Sequence, residues 1–512
     1  MPLHRVAHFR SRSTMKFLEY SHLAPRTAYL ALASVILTGA AAAQQGDIFV
    51  DIVAGNDANP GISWGTPVRT IGEGLSRAAQ SPFVNEVWVK AYANQTHFVP
   101  STSLGRNESF AIGSGDALRG GFLGTESTLD DRPTNLFDST ILSGDIGMTP
   151  NDPSDDAYHV VTLAPGGLVT LDGFRIVSGN ADGTADDGTG GGISTEDSSS
   201  GYPNTALRNL TIENCHANER GGGVFLFGVS GILARVVCRN NTCLRQVGPG
   251  VFTGAGGGMA TLQSGPGFYV FNSVFDGNRS ILGGGLHQDS PNSTTGIGFQ
   301  NCVWTDNIAQ SGGGIYFADA TGTELTHCTI AYNIVGTTVG SAGGAGIRVA
   351  GGATGTGALQ IQSSIVYRNR GTFYSPGSPP MQNPSAVETD NNNWLVANSS
   401  CIQVSLFSGL PGGAPAPPSW LGATSITIDP VFTNGPTRDF TLAALSPCLD
   451  AANDMHLLDD LADLDGDSIT NEPVPLDIGE LTREVDSPVA NTGIDGGQIT
   501  GAITDMGAHE RQ

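Results

Sequence analysis

From about residue 170 to residue 371 the chain repeats a unit of 25–38 residues: an apolar β-branched segment, apolar-x-x-Asn, a loop, a glycine run and a second apolar segment. Aligned on the polar position, the units read Val177-Ser-Gly-Asn180, Ile212-Glu-Asn-Cys215, Val237-Cys-Arg-Asn240 and Phe275-Asp-Gly-Asn278. Trp304-Thr-Asp-Asn307, Ile330-Ala-Tyr-Asn333 and Val366-Tyr-Arg-Asn369 follow. Glycine runs fall between them at 190–192, 221–223, 256–258, 283–285 and 312–314, with a looser Gly343-Gly-Ala-Gly346. So short an apolar segment cannot bury its face alone, and the units must stack as coils whose strands pair in parallel. The expected corner stack is Asn180, Asn240, Asn278, Asn307, Asn333 and Asn369, with Cys215 replacing Asn in the second coil. Asn at one corner of every coil can hydrogen-bond its copies above and below, while Gly supplies positive φ or close backbone approach. Glycine triplets and runs such as Ala234-Arg-Val-Val-Cys238 oppose a helical repeat.

Composition agrees. With 71 Gly and 28 Pro among 512 residues, a mainly helical protein is disfavoured, and 39% apolar against 14% charged residues is the balance of a folding chain. A formal charge of −24, with Lys16 and Lys90 as the only lysines, leaves no basic patch for nucleic acid or an anionic membrane surface. Residues 1–43 read as a secretory signal: Arg5, Arg10, Arg12, Lys16 and Arg26 precede an apolar run from Ala28 to Thr38, and Ala41 and Ala43 suit cleavage before Gln44. The apolar run is too short to span a bilayer, and no later segment is long enough either. The expected location is therefore extracellular or at the cell surface, and the exported chain would carry a charge of −28. Seven cysteines permit disulfides. Cys401 and Cys448 could staple a Pro/Gly-rich stretch and Cys238 could bridge Cys243; strand spacing would also allow a Cys302–Cys328 disulfide, although an unbridged interior stack is favoured there. No Cys/His cluster has zinc spacing.

The glycine runs and apolar-x-x-Asn tetrapeptides resemble the GGAI and FxxN repeats of the polymorphic outer membrane protein family, within the right-handed β-helix (pectin-lyase-like) superfamily. Upstream, Phe49-Val-Asp51, Trp64, Glu86-Val-Trp-Val89, Gly120-Gly-Phe-Leu-Gly-Thr-Glu126, Ile141-Leu-Ser-Gly-Asp145 and Tyr158-His-Val-Val161 resemble the N-terminal part of secreted bacterial β-helix proteins. In the tail, Ser446-Pro-Cys-Leu-Asp450, Asp463-Leu-Asp-Gly-Asp467, Arg483-Glu-Val-Asp486 and Asp505-Met-Gly-Ala-His-Glu510 are similar to the choice-of-anchor Q domain that ends such chains. That domain usually precedes a sorting tail, and here two residues follow Glu510. The resemblance implies an all-β, right-handed parallel β-helix with an N-terminal capping helix and an irregular C-terminal domain. The expected segments are the signal at 1–43, the cap and first coils at 44–165, the repeats at 166–400 and the tail at 401–512. Thr66 as N-cap, with Pro67 at the first helical position, begins the apolar pattern of the capping helix.

Lyases on this fold need a base and a neutraliser of the substrate carboxylate, and hydrolases need paired carboxylates, so such groups should form outward columns on adjacent coils. The column four before the Asn, Ile176, Thr211, Val236, Val274, Val303, Thr329 and Ile365, is β-branched throughout, with neither acid nor base. The interior column one residue earlier runs Arg175, Leu210, Arg235, Ser273, Cys302, Cys328 and Ser364. Two residues after each glycine run lie Ser194, Phe225, Ala260, His287, Tyr316 and Arg348; the last three could supply base, acid and carboxylate neutraliser, or be unremarkable surface residues. His159 among Val160, Val161 and Leu163 reads as a packed histidine. Asp463, Asp465 and Asp467 with Glu472 place oxygen ligands around a Gly turn as calcium loops do, the rival reading being a solvated acidic turn; Asp182, Asp186 and Asp187 are a weaker candidate. The balance favours a non-catalytic surface protein that binds polysaccharide or another cell-surface polymer, and the alternative is a lyase or hydrolase acting on an acidic polymer. Fold alone does not decide between them.

Overall fold

The computed structural model describes residues 46–511 apart from 81–85, 94–96, 102–104, 151, 196–203, 266, 290–295, 338–342, 351–357, 374–385, 405–416, 486–490 and 496–501. The expected signal at 1–43 lies outside the described residues.

The protein is all-β with mostly parallel strands, an arrangement compatible with a parallel β-helix. Among the described residues, an 18-stranded, a 9-stranded and a 7-stranded sheet are built from the repeats and the segments before them. One repeat shows the pattern. Asn204–Glu213 lies in the first sheet, His216–Ala217 in the 7-stranded sheet and Val224–Phe227 in the 9-stranded sheet. Each pairs in parallel with its counterpart in the next repeat, at Ser230–Arg239, Thr242–Cys243 and Met259–Leu262. Leu207, Leu233, Val270, Phe299, Leu325 and Ile361 fall in register as one interior column without solvent exposure.

Three left-handed residues turn the chain in each repeat. The first, a bend within the large sheet, is Asn209, Arg235, Asn272, Asn301, His327 and Ser363 in successive repeats. The second is Asn214, Asn240, Gly277, Asp306, Tyr332 and Arg368, and the third is a glycine of each run, Gly221, Gly256, Gly283, Gly312 and Gly344. Positive φ costs an L-residue roughly 1–2 kcal/mol, least for Asn and Asp. At the third turn only Gly fits, because a Cβ on Gly221, Gly256 or Gly283 would strike the carbonyl oxygen three residues on.

Directly after the second turn comes the polar ladder. Asn307 shows its bonding: Oδ1 accepts from the backbone N and Nδ2 of Asn278, both at 3.0 Å, while Nδ2 donates to the Phe275 carbonyl at 2.8 Å and to Asn333 Oδ1 at 2.9 Å. The series runs Cys215, Asn241, Asn278, Asn307, Asn333, Asn369. Two expected members are therefore corrected. Asn240 is the exposed left-handed residue before the ladder position, which Asn241 occupies. Asn180 pairs with His216, one residue past the ladder, and Gly179 precedes Cys215 in the stack. The same slip moves Ile176 and Val236 inward and replaces them on the outward face by Arg175 and Val237. Phe174 and Val236 then take the interior places assigned to Arg175 and Arg235. In the later repeats the interior column is small as expected, with Ser273, Cys302, Cys328 and Ser364 fully buried.

All seven cysteines are free. Cys302 and Cys328 form the expected unbridged stack, their thiols directed at backbone carbonyls. Cys238 and Cys243 are unbridged, and Cys401 adjoins Cys448 as a thiol.

Before the repeats, the helix Ile71–Gln80 lays Ile71, Leu75 and Ala78 on the first strands. Its cap is Thr70, whose hydroxyl accepts from the Glu73 N–H at 3.2 Å, rather than the expected Thr66; Val68 is extended and bridges Val50. The conspicuous Phe49, Trp64, Trp88 and Phe122 form an aromatic cluster on the outer face, with Trp88 stacked on Phe122 at 4.5 Å. Their motifs build structure.

From Val274 onward the outward β-branched face is not open to solvent, because the tail covers it. Val274, Val303 and Ala331 pack with Phe432, Phe440, Ile478 and Ala508, and Ile365 and Cys401 pack with Leu442, Cys448, Leu449 and Met506. Side chains at the first turn hold this layer. From Asn453 at Ser363, the tail runs outward to Ala462, whose carbonyl accepts from Arg208 at 2.6 Å. It then returns past Arg235 at Leu464, Asn272 at Asp477 and His327 at Thr504 to Ser363, whose carbonyl accepts from the Gly507 N–H.

The ladder register is testable by paired substitutions. Asn307→Ala leaves the buried Asn278 backbone N–H without its acceptor, removes one of two acceptors from Asn278 Nδ2 and is expected to destabilise by about 2–4 kcal/mol, whereas Asn240→Gly at the exposed turn should stay within about 0.5 kcal/mol. Denaturant unfolding that ranks them the other way would refute this assignment.

Candidate functional site

The 9-stranded sheet brings three expected residues together. His287 pairs in register with Tyr316 and Tyr316 with Arg348, and the His287 and Tyr316 rings stack with centroids 5.4 Å apart. Their surroundings are closed. His287 is 5% exposed, its Nδ1 has no hydrogen-bond partner, and burial, with the Arg220 guanidinium nearby, moves the imidazole down to about 4. Burial raises the Tyr316 phenol, and Arg348 is already paired with Asp390 at 2.5 Å and Glu388 at 3.5 Å. A base here would be neutral but screened, and the guanidinium already has two carboxylates.

The acidic turn of the tail also converges. Asp463, Asp465 and Asp467 each offer an oxygen within 4.8 Å of the others, and Asp465 does the same with Glu472 and Asp460. Asp460 was not singled out in the sequence because it lies before the Asp-x-Asp-Gly-Asp run. It is fully buried; one oxygen accepts from the Leu464 N–H at 2.7 Å and the other has no hydrogen-bond partner. Burial, reinforced by the nearby carboxylates, pushes it up to about 7. Asp182, by contrast, pairs with Arg106 at 2.8 Å, and Asp182, Asp186 and Asp187 make no three-carboxylate group among the described residues. A second group the sequence did not reveal is Asp145, Asp155 and Asp156, where burial and Asp145 push Asp156 up to about 7. His159 packs as expected, with Nδ1 3.1 Å from the Gly190 carbonyl and its pKa lowered by burial.

A cleft of about 260 Å³ opens where the large sheet meets the tail. Tyr269, Gly298, Glu324 and Gln360 are one outward column in register, and Leu458 of the tail forms the opposite wall. Gly298 lets the two walls close in: a Cβ there would lie 2.7 Å from the Tyr269 ring and 2.9 Å from Leu458. The Leu458 N–H donates to the Gln300 side chain at 2.7 Å, which fixes that wall.

The tail motifs converge beneath the docked layer. Arg483 is buried and donates to the Gly507 carbonyl, while Asp505 accepts from the Asp450 and Arg511 N–H groups at 2.9 Å. Burial pushes Asp505 up to about 6 and, with Asp505 beside it, holds Glu510 well above the usual carboxylate range.

The chain matches no protein-family model and none of the curated proteins compared with it.

A raised carboxyl pKa stabilises the fold below the unfolded value of about 4, and that contribution is lost as pH rises through the folded value. Asp505→Asn should therefore gain on the parent by about 1.4 kcal/mol between pH 5 and pH 8. Arg483 and Asp450 lie beside it in both proteins, and because Asp505 also raises Glu510, the difference reports the Asp505–Glu510 pair. Unfolding of both proteins across this range measures it; a gap that is constant with pH would contradict titration of a buried Asp505 as its origin.

Proposed function

We propose that this chain is an exported right-handed parallel β-helix protein of the pectin-lyase-like type, and that it binds a polysaccharide without cleaving it. The observation that carries the binding reading is the cleft floored by Gly298. It brings the aromatic side chain of Tyr269 together with the carboxylate of Glu324 and the amide of Gln360, the mixture of apolar surface and directed hydrogen bonding that a sugar ring requires. Gln360 is exposed and can bond to ligand hydroxyls. Net charge narrows the ligand class. At −24 overall, with Glu324 in the wall, the protein repels an acidic polymer, and a neutral polysaccharide fits better.

The alternative, a lyase acting on an acidic polymer, draws on His287, Tyr316 and Arg348 being adjacent. The burial of His287 and the two carboxylates on Arg348 favour binding over turnover. Among the described residues no helix is long and apolar enough to cross a membrane.

Calorimetric titration against neutral and uronic-acid polysaccharides tests both readings. A neutral polymer is expected to bind, with Tyr269→Ala or Gln360→Ala weakening it about tenfold and Arg348→Ala having no effect. Unsaturated product from a uronic-acid polymer, lost on Arg348→Ala, would establish the lyase instead.

A further inference from the structure

The tail makes its excursion over the sheet as an out-and-back path, and residues 460–472 lie at its far end. There Arg208 and Arg235 grip the backbone carbonyls of Ala462 and Leu464, both at 2.6 Å. Neither guanidinium pairs with the carboxylates of residues 460–472, although Arg235 also pairs with Glu480 farther along the tail. Asp460, Asp463, Asp465 and Asp467 make no ion pair with Arg, Lys or His among the described residues.

Acidic turns are common on protein surfaces, and three aspartates around a glycine would carry no inference alone. Asp460 is the independent feature. Its side chain has no solvent exposure, its second oxygen has no hydrogen-bond partner, and its carboxylate lies within 4.8 Å of those of Asp465 and Glu472. A buried carboxylate oxygen without a donor is costly unless a cation meets it. Calcium binds oxygen at about 2.3–2.6 Å, so oxygens of one shell lie no more than about 5 Å apart, a limit this group meets. The donors are all hard oxygens, as calcium prefers, and the turn leaves room for water to complete the shell, since Asp465 is exposed and nothing lies within 4 Å of a Cβ at Gly466.

We infer that Asp460, Asp465 and Glu472 hold one calcium ion, which fastens the far end of the tail to the large sheet. Asp463 and Asp467 lie around Asp465 and add negative potential without being required as ligands. The ion acts where Arg208 and Arg235 hold the same turn, so it keeps the carbonyls of Ala462 and Leu464 placed for them. This inference does not depend on the polysaccharide reading.

The exported chain, freed of divalent ions, should bind one calcium per molecule by calorimetry. Saturating calcium should raise the unfolding temperature by about 3 °C or more and slow proteolysis within 460–472 at least about tenfold. Asp460→Asn is expected to weaken binding at least about 30-fold, and the exposed Asp465→Asn, which leaves the buried anchor in place, at least about tenfold. Asp467→Asn should lower affinity less than about threefold, as a change in potential does. Absence of calcium binding to the parent, parent-like binding by Asp465→Asn, or an equal response to magnesium would overturn the assignment.

Discussion

The contact between each ladder asparagine and the glycine run beside it holds the repeats in register. The amide of Asn307 accepts from the repeat before it and donates both to that repeat and to the one after, so one side chain ties three repeats together without leaving its own bonding capacity unused. Glycine makes the close approach feasible. A Cβ at Gly285 would lie 3.1 Å from Asn307 Nδ2 and 2.9 Å from the carbonyl of Gly314, and the same crowding recurs at Gly258 with Asn278 and Gly314 with Asn333. The two motifs are halves of one interaction, and neither could drift in sequence without the other. Where Cys215 interrupts the ladder, its backbone N–H still reaches Asn241 Oδ1 at 3.0 Å, so the stack continues although the side-chain chain ends.

Turn chemistry explains why that register was only partly legible in the sequence. The repeat, its parallel pairing, the cap helix and the column of His287, Tyr316 and Arg348 could all be read from spacing, because strand period and glycine positions are local properties. Consecutive asparagines defeated the same reasoning. Val237-x-x-Asn240 and Cys238-x-x-Asn241 both satisfy the pattern, and only the left-handed φ of Asn240 shows which is the turn and which the ladder. Farther from local pattern still, the cleft joins Gly298 to Leu458, and Asp460 joins a ligand set only after the chain has turned back on itself. No spacing rule reports such meetings.

The tail changes what the long face of the sheet can do. A flat β-branched surface reads in sequence as a platform for a partner, but Phe440, Met506 and Leu442 already occupy it. Arg208, next to the first turn, and the first-turn residues Arg235, Asn272, Asn301 and His327 serve as a row of pegs for the covering layer. This accounts for the polar variety along an otherwise apolar sheet. Accessible chemistry is displaced to the margin of the covered area, where the cleft lies.

Covering the sheet with the last part of the chain also imposes an order in time. Within the stack each strand meets partners about one repeat away, so coils can close one after another while loop-closure entropy stays small. The bonds of Arg208 to Ala462 and Arg235 to Leu464 join residues 254 and 229 positions apart and can form only once the whole stack precedes them. In the interval Val274, Val303 and Ile365 face water as an apolar strip along parallel strands, the kind of surface on which nascent chains associate. The abundance of acid in the chain acts during that interval, because like-charged molecules keep their uncovered faces apart until each has closed its own.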